Sequence, residues 1–239
     1  MSLKHNIPLQ IQSTSSNCVQ TSTSQFLSFY GLSKSPEIIE ASVPVRLNTQ
    51  GNPMGTLFAD IGTWLKQTTD LEVTMHVFDT QIIDRSWKDL SEHQILDQLL
   101  SLQEHGISTA RSPYAPLLID AYITYLQAGG LLNIVKCTNQ LLQSLLQTGP
   151  VLAIISFNYL YDYPRATYDK GNNEYKANSA DGKAIEHAIV LTGYDGNNYF
   201  YNDPDSEYGG QQTIADDVLI GAICTAQLNS DNYLLSVEK

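Results

Sequence analysis

Gln12-Ser13-Thr14-Ser15-Ser16-Asn17-Cys18-Val19-Gln20-Thr21-Ser22-Thr23-Ser24-Gln25-Phe26-Leu27-Ser28-Phe29-Tyr30-Gly31 passes from a polar run into a helical pattern at a cysteine. Val19, Thr23, Phe26, Leu27 and Tyr30 share one face at helical spacing, which predicts a helix over about 18–30. Asn17 is a suitable N-cap, Gln20 stands three residues on as in a capping box, and Gly31 supplies the stop. Upstream, Ile7, Leu9 and Ile11 alternate with polar residues, which predicts a short strand over 7–12. Cys18 therefore opens a helix, where unpaired backbone N–H groups and the helix dipole favour negative charge. The thiolate is the nucleophilic form of cysteine. The commonest role of a free cysteine is nonetheless that of a small buried apolar residue, and position alone does not decide between the two. Cys137, in a helical pattern, and Cys224, in the apolar stretch 219–226, read as packing residues without an activating context.

Working outward, Leu57, Ile61 and Leu65 predict a second helix over 57–66, and residues 71–77 alternate as a strand. Residues 86–148 read as helical, with helices over 117–126 and 134–146 separated by the break Gly129-Gly130. After Gly149-Pro150 the pattern changes. Val151-Leu152-Ala153-Ile154-Ile155 suits a central strand, and the Tyr-rich stretch 159–184 a long loop or hairpin. Strands follow over 187–194 and 199–202, joined by the turn Asp195-Gly196-Asn197-Asn198, and 211–239 add a further strand or two. Helices first and antiparallel strands last make an α+β arrangement.

Of the five histidines, His187 is the one that opens an apolar strand directly after a polar loop. Rigid strand ends beside loops display catalytic side chains, although a half-buried polar histidine is commoner there. With Asp195-Gly196 at the turn, His187 falls opposite Pro204 and Asp203 is adjacent; with Gly196-Asn197 the pairing moves by two residues. A carboxylate at Asp203 can hold the imidazole Nδ1–H and leave Nε2 for proton transfer. Asp203 also suits a plain turn, since Asn-Asp-Pro-Asp is turn-rich, and Asp205 is a weaker candidate for the same role.

The set Gln12…Cys18, Phe29-Tyr30-Gly31, Met54-Gly55-Thr56, Gly149-Pro150-Val151, the stretch His187–Asp195, and Tyr201-Asn202-Asp203-Pro204 resembles the C39-like peptidases. The likeness covers about 7–76 and 148–205. It implies a papain-like fold over 1–239, with the nucleophile helix packed on a C-terminal antiparallel sheet. Residues from about 86 to 148 then form a helical insertion that either caps the cleft or enlarges the core. It implies a cysteine hydrolase of peptide or amide bonds with Cys18, His187 and Asp203 as triad and Gln12 as oxyanion donor, needing no metal or organic cofactor. A thiol acyltransferase and an inactive peptide-binding module are the alternatives on this fold. Val19 departs from the glycine usual after the nucleophile.

Bulk properties narrow the partners. With 239 residues, 42% hydrophobic and 16% charged, the chain has the make-up of a globular protein. A net charge of −12 argues against nucleic acid and favours basic or neutral substrates, and the resemblance implies that the substrate is a peptide or protein. Three scattered cysteines argue against a disulfide framework or a zinc site. No run reaches the ~18 apolar residues of a membrane span. The start lacks an apolar leader, so the expected location is cytoplasmic, or exported by a route without an N-terminal Sec signal.

Overall fold

In the computed structural model, which describes residues 2–48, 50–78, 81–106, 114–226 and 233–238, one large sheet carries helices on both faces. The elements run β1 (Ser2–Lys4), α1 (Cys18–Phe29), α2 (Pro36–Ser42), β2 (Arg46–Leu47), β3 (Pro53–Gly55), α3 (Phe58–Thr68) and β4 (Glu72–Val77). A short 3-10 turn (Arg85–Asp89) precedes α4 (Glu92–His105), α5 (Ala115–Gln127), β5 (Leu131–Ile134) and α6 (Asn139–Thr148). Then come β6 (Val151–Ser156), α7 (Phe157–Leu160), β7 (Ala166–Asp169), β8 (Glu174–Ala177), β9 (Glu186–Asp195) and β10 (Asn198–Asp203). The chain closes with β11 (Gly210–Ala215), α8 (Asp216–Cys224) and β12 (Tyr233–Glu238). The sheet order is β11-β10-β9-β6-β12-β4-β5, with β1 added against the far end of β9. All its pairs are antiparallel except β4 with β5. This is the expected α+β fold. Among the described residues no helix is long and apolar enough to cross a membrane.

The apolar run at 151–155 lies at the centre of the sheet as expected, between β9 and β12, and all of β6 is buried. Leu152 and Ile154 join the core formed with α1, α3, α4 and α5, while Val151, Ala153 and Ile155 face Leu142, Leu146 and α8 on the other side. Burial on both faces is what a continuous apolar strand requires. Each large side chain buried here contributes roughly 1.5–3 kcal/mol.

Several local expectations are corrected. The 7–12 stretch is not a strand; the strand is Ser2–Lys4. Pro8 has no N–H for a ladder, and the segment is instead held by Asn202 Nδ2 to Ile7 O at 3.0 Å and Gln12 N to Pro204 O at 2.8 Å. Helix α1 starts at Cys18 but has no capping box: Gln20 turns inward, its Nε2 donating to Thr56 Oγ1 at 2.8 Å and Val43 O at 2.9 Å. Nor is α1 one-faced; every residue from Cys18 to Leu27 is buried. Its hydroxyls are satisfied by bonds such as Thr21 Oγ1 to Asn17 O and Thr23 Oγ1 to Val19 O. Gly31 ends the helix as expected, taking φ 75° while Leu32 N donates to Leu27 O and Gly31 N to Ser28 O, a Schellman closure.

The 86–148 region is not helical throughout, and its residues 107–113 lie outside the described set. Leu131–Ile134 forms a parallel edge strand on β4, and the helix expected over 134–146 begins at Asn139, capped by Thr138 Oγ1 accepting from Leu141 N. Four apolar residues do not distinguish strand from helix; the open edge of β4 does. Past 211 the two strands form, together with α8. Cys137 packs against the core as expected, and its interaction with Cys224 lowers Cys224 to about 7 and, with burial, pushes Cys137 up.

His76 ties three strands together. Asn133 Nδ2 donates to its Nδ1 at 3.2 Å, so its Nε2 donates to Ser236 Oγ at 2.8 Å. Burial lowers its pKa from 6.5 to about 4, so the folded protein holds it neutral. The unfolded chain binds the extra proton between those values. Stability is therefore complete above pH 6.5 and falls as pH drops toward 4, by about 3 kcal/mol for this group. Urea unfolding from pH 4.5 to 7.5 is expected to show that acid limb, and His76→Gln to flatten it; an equally steep limb in the variant would assign the loss to other groups.

Candidate active site

The hairpin that carries the histidine contains an irregularity on which the site depends. β10 pairs with β9 as Asn198↔Asp195, Tyr199↔Tyr194 and Phe200↔Gly193, then as Tyr201↔Leu191 and Asn202↔Val190. The turn residues are thus Gly196-Asn197, with Gly196 at φ 61°, and Thr192 is the extra residue of a bulge. An unbroken ladder in either expected register would set Asp203 across from Ala188 or Val190, on the face away from His187. The bulge shifts it to the His187 face.

His187 Nε2 meets Asp203 Oδ1 at 2.7 Å, with His187 5% and Asp203 0% exposed. The carboxylate is saturated: Asp205 N donates to Oδ1 at 2.8 Å and Tyr161 OH to Oδ2 at 2.6 Å. Asp203 engages Nε2 and not Nδ1, which reverses the expected ring orientation and leaves Nδ1 as the second ring nitrogen. Burial opposes the imidazolium most strongly, but the charges of Asp203 and then Cys18, with hydrogen bonds to both, outweigh it. The His187 pKa is raised well above 6.5. Burial likewise works against the Asp203 anion, and the His187 charge and hydrogen bonds prevail to hold it below the usual carboxylate value.

Cys18 stands at the first position of α1, 8% exposed. Ser22 Oγ, one turn on, donates to Ala188 O at 2.9 Å and so pins α1 beside the start of β9. Gln12, Cys18, Val19 and His187 all line one cleft of about 790 Å3. Asp203 lies behind His187, and Asp205 reaches the cleft wall. The Gln12 side-chain oxygen is buried without a partner among the described residues. The other walls come from residues 48, 50 and 52–57 and from parts of 163–175, 181–188 and 205–208, whereas residues 86–148 contribute Tyr114 among those described. No group of three or more His, Cys, Asp or Glu side chains among the described residues is arranged to hold a metal ion.

The Peptidase_C39 like family matches residues 4–222. The chain belongs to this family. Among solved structures, a crystal structure of a candidate C39-like peptidase from Bacillus anthracis aligns over 100% of this chain and 98% of its own, with a TM-score of 0.50 and 14% identity. That likeness speaks for the fold. No curated protein matches the chain.

Beside the residues expected from the C39-like pattern stand three that the sequence did not single out. Tyr161 donates to Asp203, and its own pKa is pushed up by burial and then by that carboxylate, so it stays a donor. Phe157 meets the His187 ring edge-on, with centroids 5.4 Å apart at 81°. Tyr175 stands close enough to Cys18 for a thiolate there to act on its hydroxyl; burial first, and that charge second, push it up to about 12. The tyrosine density of 159–175 was the available signal, but it does not say which ring goes where.

Proposed function

We propose that the chain is a cysteine peptidase in which Cys18 is the nucleophile, His187 the proton carrier, Asp203 its orienting carboxylate and Gln12 an oxyanion donor. The observation that carries the reading is the His187–Asp203 pair, buried, bonded at 2.7 Å and electrostatically coupled to a helix-opening cysteine. His187 accepts the Cys18 proton at Nδ1 while Asp203 holds Nε2, giving a thiolate–imidazolium pair. The thiolate attacks the carbonyl carbon, and the Gln12 amide and Cys18 N–H receive the charge on its oxygen. His187 protonates the departing amine, then takes a proton from the water that releases the acyl group. Glu174, Asp181, Glu186, Asp205 and Glu207 outnumber Lys183 on the cleft wall, which supports neutral or basic segments over acidic ones.

We read 1–239 as one papain-like domain with 86–148 as an insertion. The strand it adds to the sheet edge, and its small share in the cleft wall, support a role in the core. Digestion of a denatured-protein mixture, read by mass spectrometry, tests the function: new termini are expected with the wild type and not with Cys18→Ala. Products joined to an added amine would reassign it as an acyltransferase, and no products at all would favour a binding module.

A further inference from the structure

We propose that the β7–β8 hairpin is a strap drawn across the cleft, which admits to Cys18 only a thin, extended segment of substrate. This rests on reading the cleft as the substrate site. Thr167, Tyr168, Asn172, Asn173, Glu174 and Tyr175 of the hairpin all line the cleft. The hairpin tip is fastened to two separate parts of the wall. Ser15 Oγ, three residues before the nucleophile, donates to Asn173 O at 3.0 Å. Lys170 Nζ donates to Gln50 O on the 48–52 loop, whose Gly51 lies against the same ammonium. Between these fastenings Tyr175, packed on Tyr168 with ring centroids 5.2 Å apart, lines the same cleft as Cys18 and lies within its electrostatic reach.

The hairpin is held by backbone pairing at its base and by side-chain contacts at its tip. At its base Ala166 and Lys183 exchange both backbone bonds at 2.9 Å, and Asn178 N donates to Arg165 O at 2.7 Å. Beyond the base the two strands pair with each other and, among the described residues, with no strand of the large sheet. A two-stranded ribbon alone is marginal in water, so the tip depends on its contacts. Both tip contacts are solvent-exposed single hydrogen bonds, which exchange readily with water. A firm base and a weakly fastened tip make an element that opens locally without unfolding the body. Cys18, although it lines a cleft of about 790 Å3, is only 8% exposed, in keeping with a covered cleft.

The test is the rate of Cys18 alkylation by iodoacetamide and by a bulky aromatic maleimide, mapped to the Cys18 peptide by mass. It compares the wild type, the double variant Ser15→Ala/Lys170→Ala, and Tyr175→Ala. Releasing the fastenings is expected to raise the bulky-to-small rate ratio by about fivefold or more. Removing the Tyr175 ring is expected to raise it as well, and this variant serves alone if the double variant does not fold. An unchanged ratio in the folded variants overturns the strap. Alkylation needs no turnover, so a raised ratio without any peptide hydrolysis would keep the strap and remove the peptidase reading.

Discussion

His187→Ala is expected to lower hydrolysis of a peptide substrate by roughly 10³-fold and to slow Cys18 alkylation at pH 6.5 by roughly ten- to hundredfold. An unassisted thiol is only about 1% thiolate at that pH. In the folded protein the imidazole lies within the electrostatic reach of Cys18 and is backed by a fully buried Asp203. The raised His187 pKa sets the direction of the pH dependence. The imidazolium is complete below about 6.5 and is lost as pH rises through the higher folded value, whereas the ion pair needs the thiolate as well. Wild-type hydrolysis, which needs the imidazolium as proton donor, should therefore hold up to well above pH 6.5 and fall beyond the raised value. Because Cys224 is also lowered to about 7, the modified thiol must be identified by peptide mapping. Equal rates at Cys18 in both proteins across the pH range would dissolve the proposed pair.

Gln12→Ala should reduce kcat by about 10²–10³-fold with KM changed by less than about threefold, the pattern of a donor that acts on the transition state. Gln12 is placed by its backbone, through Gln12 N to Pro204 O at 2.8 Å, so truncating its side chain leaves the chain path in place. Its side-chain oxygen is buried and unpaired among the described residues, an arrangement that costs free energy in the folded protein. That oxygen can only accept, so it suits a substrate N–H, while the oxyanion role falls to the Nε2 amide hydrogens. Steady-state kinetics on a single peptide decide the matter. A KM rise at constant kcat would make Gln12 a substrate-binding residue and leave the oxyanion to other donors.

Much of the site was readable because its signals are local. The helix opening at Cys18 follows from the change of period after Asn17, and the end at Gly31 from a left-handed φ that glycine takes without strain. The strand at 151–155 is apolar throughout because both its faces are covered, and the turn at Gly196-Asn197 follows from glycine at the first turn position. Where local rules failed, a distant partner made the better offer. Gln20 would cap α1 in an isolated peptide, but here Thr56 and Val43 need its amide inside the core. Leu131–Ile134 continues no helix because the free edge of β4 accepts it. Cys137 and Cys224 lie far apart along the chain, and only the folding of the segment before α6 and the end of α8 onto one another brings them within each other's influence.

The amino-acid sequence by itself determined the α+β class, the main helices and central strands, and which residues are of a type able to do thiol chemistry, because residue types and periods of 2 and 3.6 are properties of short stretches. The tertiary structure decided whether those residues could meet. One extra residue at Thr192 turns Asp203 to the His187 face, and the same geometry presents it to Nε2 instead of Nδ1. The contacts of the hairpin tip with Ser15 and Gln50 decide how far Cys18 is covered. Strand parity, ring orientation and closure depend on contacts across tens to hundreds of residues, and no short stretch carries them.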